Sequence, residues 1–366
     1  MTHTTRGLTR GAVWDGEQLT VVDDLAVPEP APGEVTVRMV ASGICHSDLN
    51  VLDGTASASL PIVLGHEGAG VVDALGEGVG GLTVGDPVVI GTSVPCGECR
   101  ACADGRRGEC PRAFAAVAPP LEWQGRPVRL YANCGSWSGA VTVRAEQLVD
   151  VRGIAPEAAA LLGCAVSTGY GVVTNVATVR PGDTVVVFGV GGIGVNAIQT
   201  AKLAGAARVV AVDVDAAKDH VATRFGADAF VVAPRVDRAD AVVALVAAEA
   251  GAPVDVAIEC SGAPVAIDAA IQVVGPGGRV ALVGIPPRGA RATFAVNDLL
   301  LNRRILGSYN GNVDVARELP VIVDHVRHGR LEVDEQVSHV WPLAEIHDAI
   351  AAVRAGSVVR AVLRHP

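Results

Sequence analysis

The sequence predicts an α/β protein in which a mostly-β domain adjoins a six-stranded, doubly wound parallel sheet. Three observations support this fold class. The chain has 366 residues, which is more than a single hydrophobic core usually serves, so two domains are expected. Residues 1 to about 165 contain short strand patterns between glycine and proline turns. From about residue 170, strand and helix patterns alternate.

The amino-terminal part shows strand patterns without long helical periodicity. The clearest candidates are EVTVRMVAS, GAGVVDAL, DPVVIGT and GAVTVRAEQLVDV. After the central α/β segment, the sequence predicts a helix near 314–329 and a final strand, VVRAVLR. We therefore assign residues 1–165 and 309–366 to one domain and residues 166–308 to the other.

The central segment predicts six strands with helices between them. The strand candidates are TVVVFGV, RVVAVDV, AFVVA, VDVAIECSG, GRVALVGI and RILGSY, and the clearest helices are GIGVNAIQTAKLAGA and ADAVVALVAAEAG. Valine-rich runs of this kind are typical of a parallel sheet that is covered on both faces. Six such strands are the number found in a doubly wound dinucleotide-binding domain.

Composition narrows the class of protein and its partners. Half of the residues (50%) are hydrophobic and 19% are charged, as expected of an ordered globular protein. The net charge of −10 argues against nucleic acid and anionic membrane partners, which favour basic surfaces. The first residues, MTHTTRGLTR, lack an apolar signal region, and no stretch approaches the roughly 18 uninterrupted apolar residues that span a bilayer. We expect a cytoplasmic protein.

Four cysteines form a closely spaced cluster, Cys96, Cys99, Cys102 and Cys110, in the pattern C-x2-C-x2-C-x7-C. Two-residue gaps allow successive thiolates to face one tetrahedral centre, and all-sulfur coordination is typical of structural zinc. An iron–sulfur cluster is the alternative, since Cys110-Pro111 imitates the end of a ferredoxin motif. The last gap of seven residues, rather than three, favours zinc.

Three further candidate ligands are scattered along the chain. Cys45 lies in GICHSDLN, His66 in GHEGAG and Cys164 in LGCAVSTGYG. Each one alone is more typical of a packed side chain than of a ligand. Together they provide two sulfurs and one imidazole, a set that binds catalytic zinc and leaves a fourth position open.

A glycine-rich motif, FGVGGIG, predicts the nucleotide site. It places Gly189, Gly191 and Gly194 between a strand and a helix, with Gly192 inside the motif. Such glycines allow a tight turn, close approach of a pyrophosphate and close packing of helix on strand. Asp213 ends the next strand, where a carboxylate accepts hydrogen bonds from ribose hydroxyls and repels a 2′-phosphate. The sequence therefore predicts NAD rather than NADP.

Over essentially its whole length the chain resembles the zinc-containing medium-chain alcohol dehydrogenases. GICHSDLN, GHEGAGVV, the cysteine quartet, GCAVSTGYG, FGVGGIG and VVRAVL occur in the order and at the spacings of that family. The resemblance implies a GroES-like catalytic domain with both zinc sites, a Rossmann coenzyme domain, and two zinc ions per subunit. Cys45, His66 and Cys164 then hold the catalytic zinc, and the quartet holds the structural one.

The resemblance also assigns roles to residues near these motifs. Asp48 accepts a hydrogen bond from His66, and Glu67 lies behind the metal. Ser47 hydrogen-bonds the substrate oxygen and passes its proton onward. The implied coenzyme contacts, besides the glycines and Asp213, are His46, Thr168, Ile193, Lys218 and Arg360.

The proton relay departs from the family pattern at one position. Many relatives end the relay in a histidine where this chain has Asn50. An amide cannot take up a proton near neutral pH. The relay then ends in water or in another group such as His46.

The substrate is the part of the function that the sequence specifies least. Positions matched to the substrate cleft hold Thr92, Ala56, Phe114, Trp137 and Ile285. Small residues beside a large indole favour a bulky, aromatic or allylic primary alcohol, unless Trp137 belongs to the core. Ala56 and Phe114 replace the charged residues that bind a glutathione adduct, which argues against that substrate. Cys134 and Cys260 are expected to be buried thiols without a role.

Two alternatives concern the activity, and one expectation concerns assembly. A dehydrogenase of this type can keep its NAD bound and recycle it with a second carbonyl or dye-like acceptor. A non-catalytic nucleotide-binding relative is the other alternative, which the intact ligands and Ser47 disfavour. The family pairs its last coenzyme-domain strands, here near GRVALVGI and RILGSY, across a two-fold axis. We expect a homodimer, with a tetramer as the alternative.

Overall fold

The computed structural model describes residues 5–366. It divides into two compact units, the chain up to Ala165 together with Asp314–Pro366, and Val166–Val313. Residues 309–313, which the sequence assigned to the first domain, lie in the second unit. The reason is local, since the turn Asn310–Asn312 packs on Ser167–Gly171, and the Thr168 hydroxyl donates a hydrogen bond to the Asn310 side chain at 3.0 Å.

The first unit is built mainly from short antiparallel strands. These are β1 Thr5–Trp14, β2 Leu19–Pro28, β3 Glu34–Ile44, β4 Ile62–Val63, β5 Glu67–Leu75, β6 Pro87–Ile90, β7 Leu121–Trp123, β8 Arg126–Leu130, β9 Ala140–Arg144 and β10 Leu148–Asp150. Three helices accompany them, α1 His46–Leu52, α2 Arg100–Ala103 and α3 Pro156–Leu161. The mostly-β character predicted for this part is confirmed.

The second unit alternates strands and helices as predicted. Its elements are α4 Ser167–Gly171, β11 Thr184–Phe188, α5 Gly192–Leu203, β12 Arg208–Asp213, α6 Asp219–Arg224, β13 Ala229–Val232, α7 Asp240–Ala250, β14 Val254–Glu259, α8 Pro264–Val273, β15 Val274–Leu282, α9 Val296–Leu299 and β16 Arg304–Gly307. The strands form one six-stranded sheet in the order β13-β12-β11-β14-β15-β16, and every pair is parallel. This is the doubly wound order.

The carboxyl-terminal segment returns to the first unit. It contains α10 Val315–Arg327, β17 Val337–Pro342, α11 Ile346–Arg354 and β18 Arg360–Arg364. β18 pairs with β3 and brings Arg360 into the sheet β10-β6-β5-β3-β18-β17, to which β9 is added through β3. The other strands of this unit close a barrel in the order β1-β2-β7-β8-β4. The two sheets and α11 enclose the apolar core of this unit.

Two predicted features of the first unit are wrong in detail. The pattern GAVTVRAEQLVDV forms two strands, β9 and β10, because a short 3₁₀ turn at Ala145–Gln147 interrupts it. The strand texture expected up to 165 ends at Pro156, where a helical run begins that continues to Val176. By length and composition this run is apolar enough to cross a membrane, but 78% of its most apolar window is buried in the protein, as in a core helix.

Candidate functional site

The four-cysteine cluster forms a compact lobe around α2. Its Sγ atoms lie 3.5 Å apart for Cys96 and Cys110, 3.8 Å for Cys99 and Cys110, and 4.0 Å for Cys96 and Cys102. A tetrahedral ion with Zn–S bonds of about 2.3 Å separates its sulfurs by about 3.8 Å, so the four side chains fit one zinc ion. A cluster of several irons would hold its cysteines farther apart.

Hydrogen-bond donors around the lobe offset the charge of its sulfurs. The backbone N–H of Cys96 donates to Cys110 Sγ at 3.4 Å, and Arg112 Nη2 donates to Cys96 Sγ at 3.2 Å. Hydrogen bonds from the backbone N–H groups of Glu98 and Cys99 lower the pKa of Cys96 to about 6. These donors stabilise the thiolate of Cys96, whereas burial raises the pKa of Cys102 in the same lobe to about 12.

Cys45, His66 and Cys164 come together from three distant segments of the first unit. Cys45 precedes α1, His66 precedes β5, and Cys164 lies in the π-helical turn Leu162–Val166 that follows α3. Their ligand atoms all lie within 4.8 Å of one another. The hydrogen bond from Cys164 lowers the pKa of Cys45 well below its usual range. Two sulfurs and an imidazole at this spacing fit a zinc ion.

Asp48 fixes the orientation of His66. Its carboxylate is fully buried and accepts hydrogen bonds from the backbone N–H groups of Cys45 and Gly65, both at 3.0 Å. His66 Nδ1 lies 3.0 Å from Asp48 Oδ1, which assigns the proton to Nδ1 and leaves the Nε2 lone pair free to face the sulfurs. Burial alone would lower the pKa of His66, but the charges and hydrogen bonds of Asp48 and Cys164 together raise that pKa well above its usual value.

Glu67 and Arg360 form a buried ion pair beside the same three ligands. Both side chains are almost fully buried, and the Arg360 guanidinium donates to Glu67 Oε2. The other oxygen, Oε1, accepts from the backbone N–H of Ala165 at 3.1 Å. Burial raises the pKa of Glu67 to about 7, against the opposing charge of Arg360. A side chain at Gly43 would overlap the Glu67 carboxylate, so this position requires glycine.

Ser47 and Tyr131 lie against this ligand set. Ser47 Oγ lies 3.3 Å from Cys45 Sγ and 3.2 Å from His66 Nε2. The Tyr131 ring meets the His66 ring edge-to-face with centroids 5.4 Å apart, and its hydroxyl lies 3.5 Å from the Ser47 carbonyl oxygen. Tyr131 is not predictable as a site residue from the sequence, since a lone tyrosine after a strand carries no motif.

The two residues considered for the end of the relay lie on α1. His46 is exposed at the first turn of this helix, and Asn50 is half-buried. The Asn50 carbonyl accepts hydrogen bonds from the Ala56 N–H at 2.8 Å and from the Thr55 hydroxyl at 3.0 Å. Asn50 thus holds the turn that follows the helix.

The glycine motif connects β11 to α5 within the second unit. Gly189 has a φ of +90°, which favours glycine, and a β-carbon on Gly194 would overlap the Gly189 carbonyl oxygen. A β-carbon on Gly191 would meet no atom within 4 Å. The motif therefore has a tight turn, an open backbone face and a close helix–strand contact, which are the three features that a dinucleotide pyrophosphate requires.

Asp213 lies at the end of β12, directly beside this motif. Its Oδ2 accepts from the Val190 N–H at 2.8 Å, and its Oδ1 accepts from the Asp215 N–H at 3.1 Å. Lys218 is half-buried at the end of the following 3₁₀ turn, and Ile193 is half-buried in the first turn of α5. Thr168 is buried on α4. The second unit therefore contains every predicted coenzyme contact except His46 and Arg360, which lie in the first unit.

The predicted substrate-cleft residues differ in exposure. Trp137 is 0% exposed, packs in the apolar core of the first unit and points its indole nitrogen at the Gly43 carbonyl. The prediction that it forms a cleft wall is wrong. Thr92 is buried, Ala56 and Phe114 are half-buried, and Ile285 is 56% exposed.

Of the remaining cysteines, Cys134 is buried as expected, whereas Cys260 is only half-buried. Burial raises the pKa of Cys134 to about 12, and burial followed by the charge of Glu259 raises that of Cys260 well above its usual value. Neither residue belongs to the two groups of potential metal ligands found among residues 5–366.

Fold and site together define a zinc-dependent, dinucleotide-binding oxidoreductase, and comparisons with known proteins identify the family. The alcohol dehydrogenase GroES-like domain matches residues 31–153, and the zinc-binding dehydrogenase domain matches residues 192–325. The probable S-(hydroxymethyl)glutathione dehydrogenase 1 of Schizosaccharomyces pombe is 33% identical, over 96% of this chain and 95% of its own.

Two solved structures are also similar over nearly the whole chain. An alcohol dehydrogenase zinc-binding domain protein from Burkholderia ambifaria has a TM-score of 0.91 and 33% identity, covering 99% of this chain and 100% of its own. Benzyl alcohol dehydrogenase from Acinetobacter calcoaceticus has a TM-score of 0.89 and 30% identity, covering 98% and 99%. The chain belongs to the zinc-containing medium-chain alcohol dehydrogenases. It is an NAD-dependent oxidoreductase of CH–OH donors that uses zinc.

Proposed function

We propose that this enzyme transfers hydride between NAD and a bulky, preferably aromatic, primary alcohol or its aldehyde. The observation that carries the proposal is the convergence of Cys45, His66 and Cys164 beneath Ser47 and the ring of Tyr131. Such a set has one open side, where a substrate oxygen has access. The aromatic ring on that side favours a substrate with an aromatic group.

The catalytic and structural zinc ions are assigned to separate ligand sets. Cys45, His66 and Cys164 hold the catalytic ion, and the four cysteines of the lobe hold the structural ion. Catalytic zinc supplies a Lewis acid for the substrate oxygen. The fit rests on the donor types and spacings of both sets.

The remaining side chains orient groups and move the proton. Ser47 is placed to hydrogen-bond the substrate hydroxyl, because its Oγ lies beside both Cys45 Sγ and His66 Nε2. Asp48 holds the Nδ1 proton of His66 and so fixes the ring. Glu67, paired with Arg360, places a negative charge behind the ligands. The proton from Ser47 would pass to water or to exposed His46, because Asn50 cannot accept it.

The coenzyme site is assigned to the glycine motif and Asp213. The open backbone face of Gly191 and the amino terminus of α5 would hold the pyrophosphate, and Asp213 would accept hydrogen bonds from the ribose hydroxyls. His46, Thr168, Ile193, Lys218 and Arg360 remain the further proposed contacts. Asp213→Ala should weaken NAD binding more than NADP binding. An unchanged ratio of the two dissociation constants, measured by fluorescence titration, would contradict the assignment.

The glutathione adduct is the second candidate substrate, since several relatives are S-(hydroxymethyl)glutathione dehydrogenases. This adduct carries two carboxylates, so its site needs cationic side chains. The matched positions in this chain hold Ala56 and Phe114, which cannot supply them. Similarity to benzyl alcohol dehydrogenase supports the aromatic alternative.

A substrate panel separates these candidates. We expect kcat/KM for benzyl and cinnamyl alcohol to exceed that for ethanol and for formaldehyde with glutathione by about tenfold or more, as apolar contacts allow. Tyr131→Ala should remove most of this preference while ethanol oxidation changes little. A preference for the glutathione adduct would overturn the proposal. Zinc is quantified on the same sample, and fewer than one ion per chain would revive the non-catalytic alternative.

Retention of the coenzyme is tested on the purified protein. If nucleotide is released only on denaturation, and alcohol oxidation then requires a second carbonyl or a dye-like acceptor, the enzyme recycles bound NAD. We expect free exchange of NAD instead, with turnover dependent on added coenzyme.

We further propose that the enzyme acts in the cytoplasm.

A homodimer is proposed from the edge of the six-stranded sheet. β16 pairs with β15 on one side, and among residues 5–366 no strand covers its other side. The neighbouring segment exposes large apolar residues, including Val296 at 70% and Leu300 at 76%. A bare edge strand beside an apolar patch favours pairing with a second copy. Light scattering should give twice the chain mass, and Leu300→Asp should shift it toward the monomer.

A further inference from the structure

A fully buried carboxylate lies at the point where the six-stranded sheet reverses its strand order. β11 is followed along the chain by β12 and β13 on one side of the sheet, whereas β14 is followed by β15 and β16 on the other. Glu259 is the last residue of β14, and the next residue, Cys260, donates its N–H to the Phe188 carbonyl of β11 at 2.8 Å. Ligands of doubly wound sheets bind at this point, in the crevice outside the carboxyl ends of the strands.

The Glu259 side chain is surrounded by donors from the loop that follows it. Its Oε1 accepts from the backbone N–H of Ser261 at 2.7 Å, from the N–H of Gly262 at 3.0 Å and from the Ser261 hydroxyl. Its Oε2 lies 3.1 Å from the Gly262 N–H. A buried carboxylate is costly unless such bonds compensate it, so this network determines the shape of the loop.

Glu259 thereby connects three loops at the carboxyl edge of the sheet. A β-carbon on Gly189, in the glycine motif, would lie 3.0 Å from Ser261 Cβ, so the two loops are in contact. A side chain at Gly262 would overlap the Ile285 carbonyl oxygen. The N–H of Gly284 donates to the Glu259 carbonyl at 2.9 Å. The glycine motif thus packs against a loop whose position depends on this one carboxylate.

We propose that Glu259 is a positioning residue for NAD, which holds the loops 189–191, 260–262 and 283–285 in the geometry that receives the coenzyme. The inference rests on the proposed coenzyme site at the glycine motif. Ser261 is exposed in the loop that follows β14, and its hydroxyl donates a hydrogen bond to Glu259. Replacing the Glu259 carboxylate should therefore shift Ser261, which lies next to the proposed coenzyme site.

The same strand offers a matched control. Asp255, near the start of β14, accepts the backbone N–H of Thr184 at 2.8 Å at the opposite end of β11. Glu259→Gln and Asp255→Asn each replace one carboxylate on β14 by an amide of the same shape. A purely structural role predicts similar consequences for both. A positioning role predicts an effect on NAD from Glu259 alone.

The test measures the dissociation constant for NAD and the melting temperature of the zinc-loaded enzyme. Glu259→Gln should raise the dissociation constant by about tenfold or more, because the amide opposes at least one N–H donor. Asp255→Asn should leave it within about twofold, as expected of a distant site. Ser261→Ala should weaken NAD binding in the same direction and provides a milder variant if Glu259→Gln does not fold. Equal effects of Glu259→Gln and Asp255→Asn would overturn the proposal.

A steric variant separates failure of this inference from failure of the coenzyme site. Gly191→Val places a side chain in open space without a backbone conflict, since Gly191 has an extended conformation. It should block the pyrophosphate and leave the melting temperature unchanged. If it leaves NAD affinity unchanged, the proposed coenzyme site is wrong. If it weakens NAD while Glu259→Gln does not, the site is right and the role of Glu259 is wrong.

Discussion

The two candidate zinc sites of the first unit are built in opposite ways. The cysteine lobe takes its ligands from fifteen consecutive residues, and its sulfurs are half-exposed apart from Cys110. The other set joins residues from before α1, before β5 and after α3, and it is surrounded by buried Asp48, Glu67 and Arg360. The lobe depends on local spacing, whereas the second set depends on the completed fold. This difference fits a stabilising ion in one and a reactive ion in the other.

The largest expected effect is the loss of activity when a ligand of the set Cys45, His66 and Cys164 is removed. His66→Asn removes a ligand, and kcat/KM should fall by about 10³-fold or more, equivalent to roughly 4 kcal/mol of transition-state stabilisation. Metal analysis should show one zinc per chain instead of two. His347→Asn, at an exposed position on α11, is the control. Retention of two zinc ions and of activity in His66→Asn would remove the basis for the comparison.

Removal of a ligand from the cysteine lobe should lower stability and leave activity largely unchanged. Cys99→Ser should lower the melting temperature by about 10 °C, because a structural ion contributes folding free energy directly. Activity at low temperature should be largely retained, again with one zinc per chain. Cys260→Ala serves as the control and should keep both ions. A loss of activity without a loss of stability would show that the lobe is not a structural site.

A smaller effect is expected where only the orientation of a ligand changes. Asp48→Asn keeps the shape of the side chain and loses the charge that faces His66 Nδ1. Turnover should fall by about 10- to 100-fold while zinc stays bound. Asp53→Asn, an exposed acid at the end of the same helix, should have no effect on turnover. Equal turnover in the two variants would contradict the orienting role.

The smallest effect concerns Arg112, the partner of the lobe sulfur of Cys96. Its guanidinium also pairs with Glu98 at 2.7 Å, and it is about half exposed. Arg112→Gln should accelerate zinc release to a chromophoric chelator by up to about fivefold, less at high salt, because exposed charges are screened. Arg100→Gln, which is more exposed, is the control. Release at the same rate in both variants would show that Arg112 does not support the lobe.

Elements of the fold that depend on local sequence were predictable, whereas elements that depend on distant parts of the chain were not. β11–β16 were predictable because each is a valine-rich run beside a helical pattern, and the sheet buries both of its faces. The β1–β2 hairpin was missed because its polar residues, such as Arg6, Arg10 and Asp23, interrupt the alternation. Its stability comes from pairing and barrel closure, which are non-local.

The candidate site was predictable where ligands carry motifs and unpredictable where packing decides. The helical run Pro156–Val176 is apolar around most of its surface, so it lacks the periodicity that marks an amphipathic helix. Trp137 is a large aromatic residue that could line a cleft or fill a core, and only the fold shows that it is buried in the core. Tyr131 reaches His66 only through the tertiary structure.

Asp213 has a consequence for any attempt to change the coenzyme of this enzyme. Redesign toward NADP normally begins by deleting the acid that repels the 2′-phosphate. Here the same carboxylate accepts the N–H of Val190, inside the glycine motif. Deletion to alanine or glycine would therefore relax the loop that both coenzymes need. A substitution with a neutral acceptor of similar reach, such as asparagine, removes the charge and keeps that anchor, so selectivity and affinity become separable design variables.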